Sequence, residues 1–155
     1  MLLIVAQLTD SNNSSTGYYW EKIVETLSKK EKILLISEEK SSKLEKNSDI
    51  QILQVSIPNF LKNNLFLGKG FLPKIIIFLK MLFFSIANSK NKKNILIGTN
   101  PFLIVLLPIF LRILFIKTKI SIVVFDLFPE NLISISKSYI LKNISLIIKK
   151  IFDNA

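Results

Sequence analysis

Two carboxylates four positions apart, Asp126 and Glu130, bracket a proline in Asp126-Leu127-Phe128-Pro129-Glu130-Asn131. The preceding run, Lys119 to Phe125, reads as a strand. A parallel strand delivers the residues that follow it to a ligand cleft beyond its carboxyl end. A carboxylate placed there can orient a hydroxyl or accept its proton. Pro129 stiffens the exit and suits the first turn of a helix. The same residues also fit an ordinary helix start, with Asp126 as the cap and Glu130 as a first-turn partner of the dipole.

Two further loops fall at the same edge. Thr16 and Gly17 end the small-residue stretch Thr9 to Gly17, in which a helix N-terminus offers free N–H groups and a favourable dipole to a phosphate. A capped polar loop has the same pattern. There is no G-x-G-x-x-G, which argues against a dinucleotide-binding fingerprint. Gly98-Thr99-Asn100-Pro101 is the third loop, and Thr99 and Asn100 are its cleft candidates.

The chain has no histidine and no cysteine. That excludes a disulfide scaffold, a thiol nucleophile, an imidazole base and a Ser-His-Asp triad. Carboxylates are not spaced for a metal, so no metal and no cofactor is expected. Chemistry must rest on carboxylates, hydroxyls, lysines, backbone amides and the substrate's own groups.

These loops need elements to hold them. Leu2 to Leu8 is a nearly continuous apolar run, as in a strand covered on both faces. Trp20, Ile23, Val24 and Leu27 then follow helical spacing, with Ser15 or Thr16 available as the cap. Strands are expected at Lys32 to Ser37, Ile50 to Ile57, Asn94 to Gly98 and Lys119 to Phe125. A charged connection, Glu38 to Asp49, separates the second strand from the third. Apolar helices are expected from Pro73 to Ala87, covered on nearly every side, and from Pro101 to about Ile116. A last helix carries Ile140, Ile144, Ile147, Ile148 and Ile151 on one face. Strands alternating with helices predict an α/β fold, a Rossmann-like doubly wound parallel sheet.

The chain has 155 residues, enough for one domain. Its mean hydropathy of +0.44 excludes a disordered chain. Basic residues outnumber acidic ones 21 to 11, giving a net charge of +10. Arg112 is the one arginine, and nucleic-acid readout leans on arginine forks, so no nucleic-acid partner is expected. A codon bias toward Lys, Ile, Asn and Phe would raise the charge by itself; otherwise a phosphate or an anionic membrane surface is the fitting partner. Phe60, Lys62, Phe66, Lys69, Phe71 and Lys74 mix aromatic bulk with lysines that can snorkel toward headgroups. The apolar runs Phe71 to Ala87 and Ile95 to Ile116 are broken by charges, prolines and glycine, and read as buried or interfacial rather than membrane-spanning. The first ten residues lack the basic start of a signal peptide.

Ile122-Val123-Val124-Phe125-Asp126-Leu127-Phe128-Pro129-Glu130-Asn131-Leu132 resembles the signature of bacterial family 4 glycosyltransferases, in the N-terminal, acceptor-side domain of their GT-B fold. Ser14-Ser15-Thr16-Gly17, Gly98-Thr99-Asn100-Pro101-Phe102 and Ile151-Phe152-Asp153-Asn154-Ala155 agree with it. The resemblance implies transfer of a sugar, with retention, from a nucleotide-sugar to a lipid-linked saccharide acceptor in cell-envelope polysaccharide synthesis. It implies a cytoplasmic protein peripheral to the inner face of the membrane. Asp126 and Glu130 would stand beside the acceptor hydroxyl, and Thr16 and Gly17 beside the leaving diphosphate. The sugar-nucleotide pocket would lie in a second Rossmann-like domain beyond Ala155. Residues 1–155 would then be an N-terminal domain incomplete at its C-terminal end and inactive alone, completed by that domain or a second chain. The alternative is a non-catalytic, membrane-associated subunit that recognises the acceptor for a separate catalytic chain.

Overall fold

Five short apolar runs form one parallel sheet: β1 (Leu2–Val5), β2 (Ile33–Ser37), β3 (Ile50–Gln54), β4 (Asn94–Gly98) and β5 (Lys119–Val123), in the order β3-β2-β1-β4-β5. The computed structural model describes residues 1–57, 71–90, 92–99, 104, 106–114 and 117–124, all within the unit Met1–Phe125. Among the described residues four helices accompany the strands: α1 (Ser15–Ser28), α2 (Ser42–Glu45), α3 (Phe71–Ser89) and α4 (Leu107–Ile113).

Register explains why β1 has no polar side. Leu3 pairs with both Leu34 and Ile95, and Val5 with both Ile36 and Ile97. The pleat sends successive side chains to opposite faces, and both faces are covered. Leu2, Ile4, Ala6, Ile33 and Leu35 pack under Trp20 and Val24 of α1 and Leu44 of α2. Leu3, Val5, Leu34, Ile36, Ile95 and Ile97 pack under α3 and α4, with Ile77, Phe78 and Met81 from the first and Leu107 and Leu111 from the second. Helices on both faces of an all-parallel sheet make the domain Rossmann-like and doubly wound.

Several expected boundaries move. β1 stops at Val5 rather than Leu8, because the next residues turn away to bond the β2 exit. The cap of α1 is Ser14, whose Oγ accepts from the Gly17 amide at 2.9 Å, rather than Ser15 or Thr16. The charged connection holds the short helix α2, anchored by fully buried Leu44. α3 runs for 19 residues, two residues longer at each end than expected. Contrary to expectation it is not covered all round. Leu79, Phe83 and Ile86 are exposed, Phe83 by 66%; among the described residues, the sheet beneath and the short α4 beside make its main contacts. The run Ile95 to Ile116 is divided between β4 and α4. Among the described residues no helix is long and apolar enough to cross a membrane. The expected helix around Ile140 to Ile151 lies outside the described residues.

Candidate functional site

The strand order locates the site. From β1 the chain moves outward to β2 and β3, then crosses back to β4 and β5 on the other side. β1 and β4 are therefore neighbours whose next strands lie on opposite sides, the switch point at which a doubly wound sheet generally places its ligand crevice.

The loop after β1 is tied to the exit of β2. The Thr9 and Ser37 hydroxyls, both buried, lie 2.7 Å apart. Ser37 Oγ donates to the Gln7 carbonyl at 3.1 Å, and the Glu38 amide reaches the same oxygen at 3.1 Å. The Gln7 side-chain amide also donates to the Glu38 carboxylate. The Glu39 carboxylate then turns back into the loop. Its Oε2 accepts from the backbone amides of Thr9 and Asp10, each at 3.1 Å, and its Oε1 from Asn13 Nδ2 at 3.2 Å. Asp10 closes the turn on its other side, with Oδ1 accepting from the Asn12 amide at 3.0 Å and from Asn12 Nδ2 at 3.1 Å.

This wiring is an anion nest whose anion is the chain's own. Adjacent amides aimed at one point bind a negative group, and here that group is Glu39. Asp10 and Glu39 sit together at the rim with Asn13 reaching both, 3.4 Å to Asp10 Oδ2. Carboxylates accept hydrogen bonds and cannot donate them when ionised. A rim of this kind suits a ligand rich in hydroxyl groups.

Gly17 is buried, and its amide is committed to the Ser14 cap. A Cβ there would collide with the Asp10 carbonyl oxygen, so glycine lets α1 start flush against the loop. Thr16 is half-buried beside it. Thr99 is buried at the end of β4, where its amide donates to the Val123 carbonyl at 3.1 Å. Gly98 before it faces Trp20, and a Cβ would stand 2.5 Å from Trp20 Cζ2. The structure thus brings Thr16, Gly17 and Thr99 to the carboxyl edge. Asn100, Asp126 and Glu130 lie outside the described residues, as do Phe60, Lys62, Phe66 and Lys69. Phe71 opens α3, its side chain undescribed, and Lys74 is exposed in the first turn.

No family profile, curated protein or solved structure matches this chain. Residue chemistry and geometry therefore carry the functional reading.

Two acidic residues matter that sequence reasoning passed over. Glu39 could have been found from its position, since Glu38-Glu39 follows a buried strand and so emerges at the same edge as the loop after β1. Glu21 is the other. It is fully buried on α1, where Oε2 accepts from Ser41 Oγ at 2.6 Å and Oε1 from Lys43 Nζ at 3.0 Å. Burial pushes its carboxyl up, but hydrogen bonds from Ser41, Lys43 and Ser11, with the charge of Lys43, together hold it below the usual glutamate value. Glu21 thereby ties α1 to the start of α2 and to the loop after β1. Among the described residues no group of three acidic side chains is assembled that could hold a metal ion.

Proposed function

We propose that the chain is the acceptor-side part of a retaining glycosyltransferase that uses a nucleotide-sugar donor and extends a lipid-linked saccharide at the inner face of the cell membrane. The observation that supports this reading is the carboxyl edge of a doubly wound sheet at its switch point, where Asp10 and Glu39 stand together. Carboxylates there accept from saccharide hydroxyls. β5 ends at Val123, and the Asp126-Leu127-Phe128-Pro129-Glu130 segment follows it in sequence. In this reading Asp126 or Glu130 orients the attacking hydroxyl, and Thr16, Gly17, Thr99 and Asn100 belong to the cleft. A second domain or chain supplies the nucleotide pocket.

The test is transfer of radiolabel from a panel of nucleotide sugars into the lipid fraction of membranes from cells expressing the gene. The expected result is incorporation that falls by about 10²-fold or more in Asp126→Asn or Glu130→Gln. Equal incorporation by both variants overturns the catalytic assignment. One observation favours the second reading, a non-catalytic acceptor-recognition subunit. The Thr9, Asp10 and Gly17 amides are already satisfied by Glu39 and Ser14, and an incoming diphosphate would have to displace them. Saccharide binding without transfer from any donor selects that reading.

A further inference from the structure

None of the chain's 11 acidic residues lies between Asp49 and Asp126, a stretch that holds ten of the 21 basic residues. On either side of that stretch the charges nearly cancel, so it accounts for the net charge of +10. The fold gathers much of it at one place. α3 and α4 both end at the amino edge of the sheet, where the chain enters β4 and β5. Between those ends lies a concavity of about 640 Å³, lined by Lys90, Lys92, Lys93 and Lys117 with Ile86 and Leu114. Among the described residues its remaining lining groups, Ser89 and Thr118, carry hydroxyls, and no carboxylate contributes.

Four ammonium groups around one hollow repel one another unless an anion joins them. Among the described residues none of the four has a carboxylate within ion-pair distance. Lys92 Nζ reaches the Met1 thioether, at 2.9 Å. A helix C-terminus accounts for a cation within its own last turn, which covers Lys90 at the end of α3 and leaves three. The floor is firm, because Thr118 Oγ1 donates to the Lys92 carbonyl at 3.1 Å and the Lys119 amide to the Lys93 carbonyl at 3.3 Å.

The apolar side chains beside the lysines say what kind of anion fits. Phe83 and Ile86 on α3 and Phe110, Ile113 and Leu114 on α4 are exposed, Ile113 by 62%. Phe78 and Phe110, with ring centroids 5.8 Å apart, join the two helices beneath them. Ile86 and Leu114 belong both to this apolar surface and to the lysine hollow. A soluble phosphate would use the lysines and leave the apolar side chains in water. An anionic bilayer uses both, since lysines meet headgroup phosphates while apolar groups enter the acyl boundary.

We propose that the lysine hollow at the amino edge, with the exposed apolar ends of α3 and α4, docks the chain on an anionic phospholipid bilayer, Lys90, Lys92, Lys93 and Lys117 taking the phosphodiester headgroups. This does not rest on transferase chemistry, and the surface is separate from the residues Phe60 to Lys74.

Co-sedimentation of the purified chain with phosphatidylglycerol–phosphatidylcholine vesicles tests it, against phosphatidylcholine alone. A lysine near an anionic surface strengthens binding by about fivefold at low salt, so Lys90→Gln/Lys93→Gln/Lys117→Gln should weaken it by about 100-fold. The matched control Lys29→Gln/Lys30→Gln/Lys46→Gln removes the same charge from exposed positions outside the hollow and should cost less than about tenfold. Phe83→Ser/Ile113→Ser should weaken binding even at about 0.5 M NaCl, where the lysine effect is screened. Circular dichroism identifies any variant that fails to fold. Equal losses in the two lysine variants overturn the proposal in favour of net charge alone. Undiminished binding to neutral vesicles overturns it, as does thermal stabilisation by inorganic phosphate without sedimentation.

Discussion

The sheet has two covered faces, and their outer surfaces differ. Over one face, Glu21 of α1 is bonded by Ser41 and Lys43 at the start of α2, while Lys22 pairs with Glu25 within α1 at 3.1 Å and Lys40 pairs with Glu45 of α2. Over the other face, α3 and α4 pack inward just as well but present phenylalanine, isoleucine and leucine outward beside lysines without carboxylate partners among the described residues. The inner halves follow one rule, burial of apolar area at about 25 cal/mol per Å². The outer halves differ in how far their polar groups are paired and in how much aliphatic surface they leave to solvent.

The comparison breaks first at Trp20. Its indole is fully buried between α1 and the end of β4, and Trp20→Ala should cost about 3–5 kcal/mol in urea unfolding followed by circular dichroism. A loss below about 1 kcal/mol would mean that the α1 layer is not the firm one.

Glu21 comes next. Glu21→Ala strands the buried Ser41 hydroxyl and should cost about 1–3 kcal/mol. Its pH dependence has a definite sign. The folded carboxyl titrates below the ordinary value, so its contribution is complete above about pH 4.3 and is lost as pH falls through the lower, folded value. Unfolding midpoints at neutral and acid pH should therefore diverge less in Glu21→Gln than in the native chain.

Ser14→Ala removes the α1 cap and should cost about 1 kcal/mol, measured in the same way. The smallest effect sharpens the contrast most. Phe83→Ser/Ile113→Ser on the open face should change stability by less than about 0.5 kcal/mol per site, even though the residues removed are large and apolar. A larger loss would show that these side chains are packed in the free protein.

The sheet was legible in sequence because parallel strands buried on both faces read as unbroken apolar runs. Leu2–Val5 and Ile33–Ser37 have no polar alternation to mistake for anything else, and β4 was located to the residue. The carboxyl edge was legible as a place, with Thr16 and Gly17 following β1 and Thr99 following β4. Its wiring was not. The bonds from Glu39 to Thr9 and Asp10 join residues about 30 positions apart, and no local periodicity encodes such a pairing. The open face of α3 was hidden for the opposite reason: a helix apolar all round reads as buried, yet Leu79, Phe83 and Ile86 stand exposed.

Gly98 and Trp20 carry one last consequence. The chain has a single tryptophan, and its ring lies buried against the end of β4. Its ultraviolet emission is thus a label placed by nature at the seam between α1 and the sheet. Anything that pries that seam open would register as a change in colour or brightness, while events at the far edge should leave the signal still.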